Sequence, residues 1–109
     1  MKEHFSLTEL QNILAEKQGV MLYFYNDRCA PCISLRPKVI KLIESQFPKI
    51  ELVFVNSEEN TLVSAHYNVF SNPTIILFIE GREYFRHSKY ISEHQLAGQI
   101  GRLYKLALE

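Results

Sequence analysis

The stretch Met21-Leu22-Tyr23-Phe24-Tyr25-Asn26-Asp27-Arg28-Cys29-Ala30-Pro31-Cys32 constrains the fold more than any other part of the chain. Val20 to Tyr25 reads as a strand, and its nearly unbroken apolar character suits burial on both faces of a parallel sheet. From Ile33 to Phe47 the apolar side chains recur at helical spacing instead, so the two cysteines fall at a strand-to-helix junction. The first turn of a helix presents unpaired backbone N–H groups and a partial positive charge, and both favour a thiolate over a thiol. Cys29 is the sulfur best placed to feel them. Pro31 suits the first helical turn, where its missing N–H costs nothing, and Cys32 lies one turn on, close enough to bond back to Cys29. A thiol of pKa about 8.5 is about 3% ionised at pH 7, and a fall to about 6.5 ionises roughly three quarters of it. Nucleophilicity falls with pKa, so most of that gain is lost in attack; the low pKa counts equally in making Cys29 a good leaving group.

The 109 residues match the size of one domain, expected over residues 1–109, and suffice to bury a core without metal or several disulfides. An apolar share of 47% with four Gly and four Pro excludes a disordered chain. Twelve basic side chains balance twelve acidic ones, which argues against nucleic-acid and anionic-membrane partners, since both require a basic patch. No apolar run approaches the roughly 20 residues of a membrane span. Met1-Lys2-Glu3-His4-Phe5 leads into a polar segment without a signal-peptide hydrophobic region, which points to a cytoplasmic protein. In a reducing compartment, two cysteines at C-x-x-C spacing are catalytic or metal-binding rather than structural.

Taken in order, Ser6-Leu7-Thr8-Glu9 has capping-box form and opens a helix to about Lys17, ended by Gly19. The second helix carries Leu35, Val39, Leu42 and Ile43 on one stripe, with Pro37 inside it as a kink. Glu51 to Val55 is a second buried strand, and Ser57-Glu58-Glu59-Asn60 offers capping residues for a short helix through Leu62, Ala65 and His66. Pro73, which cannot donate to a sheet, belongs at the first residue of the strand running to Ile79. Glu80-Gly81 forms a two-residue turn into a more exposed strand, Arg82 to His87. Ser92-Glu93-His94-Gln95 opens a last helix with Leu96, Ile100, Leu103 and Ala107 on one face, weakened at Gly98 and Gly101. This is an α/β plan with a parallel part and an antiparallel edge.

The chain resembles the thioredoxin family. The resemblance rests on Cys29-Ala30-Pro31-Cys32 after an apolar strand, Pro37 five residues beyond, Ala65-His66-Tyr67-Asn68-Val69, then Pro73-Thr74 before an apolar strand, and Gly81 in the hairpin. It covers about Val20 to Leu103 and implies the thioredoxin fold, a central mixed sheet flanked by helices, with Pro73 cis and lying against the cysteines. It also implies thiol–disulfide exchange, in which Cys29 attacks, a mixed disulfide forms and Cys32 resolves it. Arg28, Ala30, Pro31, Tyr25, Asn72 and Pro73 are then the substrate-binding residues, the Asn72 backbone pairing with an extended segment. The implied cofactor set is none beyond the Cys29–Cys32 disulfide. Protein disulfides are the implied substrates, a thioredoxin reductase the electron donor, and a monomer the working form. A reductant is expected from the cytoplasmic reading, although C-x-x-C proteins span about −270 to −120 mV.

The departures from the family pattern carry equal weight. Tyr23 stands where a buried aspartate is usual and Phe54 where a lysine often pairs with it, so deprotonation of Cys32 falls to water, Asp27, Glu58 or the substrate. Arg28 and Tyr25 replace tryptophans, Ala30 replaces glycine inside the motif, and Lys89-Tyr90 replaces a loop glycine and its small neighbour. Arg28 is expected to add positive charge beside Cys29. Two other readings of the cysteines stand beside redox chemistry: a binding module that retains a weakly active disulfide, and a zinc half-site. Zinc needs two further ligands, and His66, His87 and His94 are not spaced as a ligand pair.

Overall fold

The structure, a computed structural model, describes residues 5–88 and 91–109. The order of elements is α1 (Leu7–Glu16), β1 (Gly19–Tyr25), α2 (Ala30–Gln46), β2 (Ile50–Asn56), α3 (Thr61–His66), β3 (Thr74–Ile79), β4 (Arg82–Ser88) and α4 (Glu93–Ala107). Among the described residues the strands form one mixed sheet in the order β2-β1-β3-β4. β1 runs parallel to β2 and antiparallel to β3, and β3 pairs antiparallel with β4. α1 is the first described element, and Met1 to His4 lie outside the described residues. None of the described helices is long and apolar enough to cross a membrane.

The apolar run of β1 is explained by its central place. Met21 and Tyr23 point into one core with Phe54, Ile75 and Leu77, covered by Val39, Leu42 and Ile43 of α2 and Leu96 and Ile100 of α4. Val20, Leu22 and Phe24 point into the other core with Val53, Val55 and Ile76, covered by Leu10 and Leu14 of α1 and Val63 of α3. Alternating side chains therefore serve opposite cores, and neither face has room for a polar residue.

The helix starts follow from capping. Ser6 accepts from Glu9 N while the Glu9 carboxylate takes the Ser6 N–H, and Ser92 and Gln95 repeat the arrangement at α4. The expected ending of α1 at Gly19 is corrected: Lys17 is the C-cap, and Gly19 is the first residue of β1. Close packing accounts for the glycine, because a Cβ there would lie 2.9 Å from Leu108 Cδ1. The expected short helix is present as α3, with Asn60 as its N-cap without a side-chain cap bond. It buries Val63 and Ser64, while Leu62 is 81% exposed and Ala65 and His66 face out. In the turn before it, Asn56 Oδ1 accepts from Glu58 N and Glu59 N.

α3 ends in a Schellman motif. Asn68 adopts φ 56°, Val69 N donates to Ser64 O at 2.9 Å and Asn68 N to Ala65 O at 3.1 Å. The chain is thereby turned toward β3, which starts at Thr74, one residue after Pro73. The Glu80-Gly81 turn has positive φ at both residues, 52° and 81°, as a type I′ turn requires.

On α4 the buried stripe is Leu96, Ile100 and Tyr104, with Leu108 at the C-cap; Ala107 is exposed, contrary to expectation, because Tyr104 fills the space beside Phe47 at 5.2 Å between ring centroids. A Cβ on Gly101 would make ordinary contact with Phe47 at 3.8 Å, and one on Gly98 would meet nothing within 4 Å. Gly98 is exposed and helical, so Gly98→Ala should stabilise the fold by about 0.5–1 kcal/mol, read as a higher urea midpoint at unchanged m.

Candidate active site

The turn between β1 and α2 is built by local polar contacts. Asn26 Oδ1 accepts from Arg28 N at 3.0 Å, and Asn26 O from Cys29 N at 3.4 Å. Cys29 is then the N-cap of α2. Its backbone is extended (φ −91°, ψ 98°), its carbonyl accepts from Ile33 N, and its sulfur accepts from Cys32 N at 3.2 Å. The role usually taken by a serine or aspartate oxygen belongs here to sulfur. Pro31 lies in the first turn.

Cys29 and Cys32 are joined in a disulfide with their Cα atoms 5.2 Å apart. Their surroundings differ: Cys29 is half-buried and flanked by exposed Ala30 and Pro31, whereas Cys32 is 2% exposed. Cys29 is thus the more exposed residue of the pair.

The loop before β3 lies beside this turn. β1 and β3 pair so that Phe24 faces Thr74, and the Asn72–Pro73 peptide bond is cis. Ser57 ties the two sides together: its N and Oγ both donate to Tyr25 O, at 2.7 and 3.1 Å, and the Asn72 amide donates to Ser57 Oγ at 3.0 Å. Thr74 Oγ1 donates to Ser71 O at 2.6 Å. Pro73 is buried, and Phe70 stands 87% exposed on the same loop. Lys89-Tyr90, expected to reshape the groove, lies outside the described residues.

Arg28, expected to add positive charge beside Cys29, is paired with a carboxylate. Its guanidinium donates to Glu58 Oε1 at 2.7 Å with the arginine side chain 82% exposed, and the pair holds the Arg28 pKa above its usual value. The same contact engages Glu58, one of the carboxylates considered for Cys32. A flexible arginine reaching thirty residues along the chain leaves no periodic trace in sequence.

Behind Cys32 the departures from the family pattern form one apolar wall. The Tyr23 and Phe54 rings meet at 5.1 Å between centroids, and the Tyr23 hydroxyl donates to Cys32 O at 2.7 Å. Arg36, which sequence reasoning passes over, lays its guanidinium over Phe54 at 3.9 Å and Tyr25 at 5.1 Å. Its spacing of four residues from Cys32 on a helix is the available clue. Tyr25, Asn26, Asp27, Cys32, Ile33 and Arg36 line one cleft of about 160 Å³. No group of three His, Cys, Asp or Glu side chains among the described residues is placed to hold a metal ion.

Residues 2–102 match the Thioredoxin family model. The chain belongs to the thioredoxin family. It is 28% identical over 101 residues to a thioredoxin-like protein of Bacillus subtilis, covering 93% of this chain and 89% of that one. It is 35% identical over 78 residues to the thioredoxin of Mycoplasma genitalium, covering 72% and 76%. The fold superposes on a mutant thioredoxin from Halobacterium salinarum with a TM-score of 0.81 at 27% identity, covering 92% of this chain and 86% of that chain. As a thioredoxin-family protein with an intact cysteine pair, it is a thiol–disulfide oxidoreductase, and the family's working group is the redox-active disulfide itself.

Within this thioredoxin fold, Tyr23 is a structural hydrogen-bond donor. Burial pushes its phenol up to about 12, with the Arg36 charge acting in the opposite sense. An unfolded tyrosine ionises near pH 10, so the folded state holds this proton to higher pH. The stabilisation is complete below about pH 10 and is lost as pH rises through about 12. Tyr23→Phe should cost about 1 kcal/mol at neutral pH, and the gap between the two proteins in urea unfolding should narrow as pH rises from about 10 to 12.

Proposed function

We propose that Cys29 is the attacking sulfur and Cys32 the resolving one, in a monomeric 109-residue unit that reduces protein disulfides in the cytoplasm with electrons from a thioredoxin reductase. The observation that carries the assignment of roles is the asymmetry of the pair. The Cys29 sulfur caps α2 in a half-buried residue, and Cys32 is 2% exposed and one turn inside. A capping sulfur accepts from a backbone N–H more strongly as a thiolate than as a thiol, which lowers the cost of ionising it.

The exchange proceeds in two displacements. The Cys29 thiolate attacks one sulfur of a substrate disulfide; that S–S bond breaks, a Cys29–substrate bond forms, and the departing substrate thiolate takes up a proton. The Cys32 thiolate then attacks the Cys29 sulfur, closing the Cys29–Cys32 bond and releasing the second substrate thiol. Two electrons pass from the dithiol to the substrate.

Substrate contact is assigned to Arg28, Ala30, Pro31, Tyr25, Asn72 and Pro73. The Asn72 side chain is tethered to Ser57 and thence to the Tyr25 carbonyl, which supports a fixed backbone at Asn72 for pairing with an extended segment. Exposed Ile33 and Phe70 supply apolar surface nearby, suited to the surroundings of a partly unfolded disulfide.

Reduction of insulin disulfides by dithiothreitol tests the reading. The native protein should accelerate it and Cys29→Ser should fall to the uncatalysed rate, while Cys32→Ser should accumulate a mixed disulfide with substrate. No acceleration by the native protein would leave a binding module in place of an enzyme.

A further inference from the structure

We propose that Arg36 is a positioning residue for the resolving step: its guanidinium, held between Phe54 and Tyr25 at the back of the cleft, favours the thiolate of Cys32 and takes over the electrostatic task that no carboxylate performs on β1. The inference rests on the exchange mechanism proposed above.

Three observations support it. Cys32 and Arg36 are four residues apart on α2, which places them on one face of the helix, and both line the same cleft of about 160 Å³. The guanidinium is fixed rather than free to sweep the surface, since its Cζ lies 3.9 Å from the Phe54 centroid and 5.1 Å from that of Tyr25. Its charge is also felt at the Tyr23 hydroxyl, which itself sits 2.7 Å from the Cys32 carbonyl. The cation and the buried cysteine thus line one small cleft, and the hydroxyl that bonds the Cys32 carbonyl lies within reach of the same charge.

The chemistry explains the need. A thiol at 2% exposure in an apolar wall resists ionisation, because burial penalises the charged form. Resolution requires the thiolate, and a nearby cation offsets the burial penalty. Arginine cannot accept the proton, so the proton leaves for water in the cleft or for the departing substrate thiolate, and the guanidinium stabilises the charge left behind. Among the described residues, the titratable and charged groups facing Cys32 are Tyr23 and Tyr25 from β1, Asp27 from the turn, and Cys29 and Arg36 from α2. Phe54 from β2 and Ile75 from β3 present only apolar surface to the same core. Asp27 opposes the effect and Arg36 supplies the only positive charge in that set.

The test uses the full chain with Cys29→Ser, so that Cys32 is the one thiol and its ionisation is followed by thiolate ultraviolet absorbance against pH. Adding Arg36→Met should move the midpoint upward and cut the Cys32 thiolate fraction at pH 7 by roughly tenfold, while Arg36→Lys, which keeps the charge, should restore most of it. In the protein with both cysteines, Arg36→Met should slow release of a preformed mixed disulfide by a similar factor at pH 7, with the deficit shrinking at higher pH. An unchanged Cys32 midpoint in Arg36→Met, or an equal change in Arg36→Lys, overturns the proposal. These readouts need no turnover, so a native protein inactive on insulin with a charge-dependent Cys32 midpoint would sink only the enzymatic reading.

Discussion

A sulfur accepting the N–H of the residue three places on, 3.2 Å away, fixes where α2 begins, and the chemistry of the protein depends on that contact. The Asn26 contacts turn the chain after β1, and the cap leaves Cys29 where the helix terminus acts on it. Strand β1 holds this junction still. It is the inner strand between β2 and β3, its side chains from Val20 to Phe24 are wholly buried, and the two cores it serves lock it from both faces. A loop carrying the same four residues without that support would not keep one sulfur open and the other buried.

The replacement of polar groups behind Cys32 changes how the same fold does its work. Tyr23 and Phe54 make a continuous aromatic wall, which adds packing and removes an internal proton acceptor. The hydroxyl of Tyr23 is spent on the Cys32 carbonyl and keeps its proton to about pH 12, so it holds the helix and does not act as a base. The cleft beside Cys32 is lined instead by Asp27 and by the Arg36 guanidinium. The departures from the family pattern at Tyr23 and Phe54 therefore lie behind Cys32, while the helix start at Cys29 keeps its capping geometry.

Much of this is legible in the sequence. Capping boxes at Ser6 and Ser92, the twin apolar strands, the Glu80-Gly81 turn and the strand-to-helix position of the cysteines all follow from local rules, and each is present. The cis bond before Pro73 follows from resemblance to the family and is also present. What escapes has no local cause. A six-residue helix holds too few turns for its period to be read, so which side chains it buries, Val63 and Ser64 and not Leu62, is set by the fold. Gly19 packs against Leu108, eighty-nine residues away, and is not part of a turn. Arg28 and Arg36 carry long side chains whose partners, Glu58 for one and two aromatic rings for the other, are chosen by the fold.

The most direct measurement is equilibration of the purified protein against graded ratios of reduced and oxidised glutathione, with the free thiols counted at each ratio. A single reversible two-electron transition, with Cys29 and Cys32 gained and lost together and a midpoint between about −270 and −120 mV, is the predicted result. Thiols that stay reduced at every ratio, or that form only separate glutathione adducts, would contradict the account.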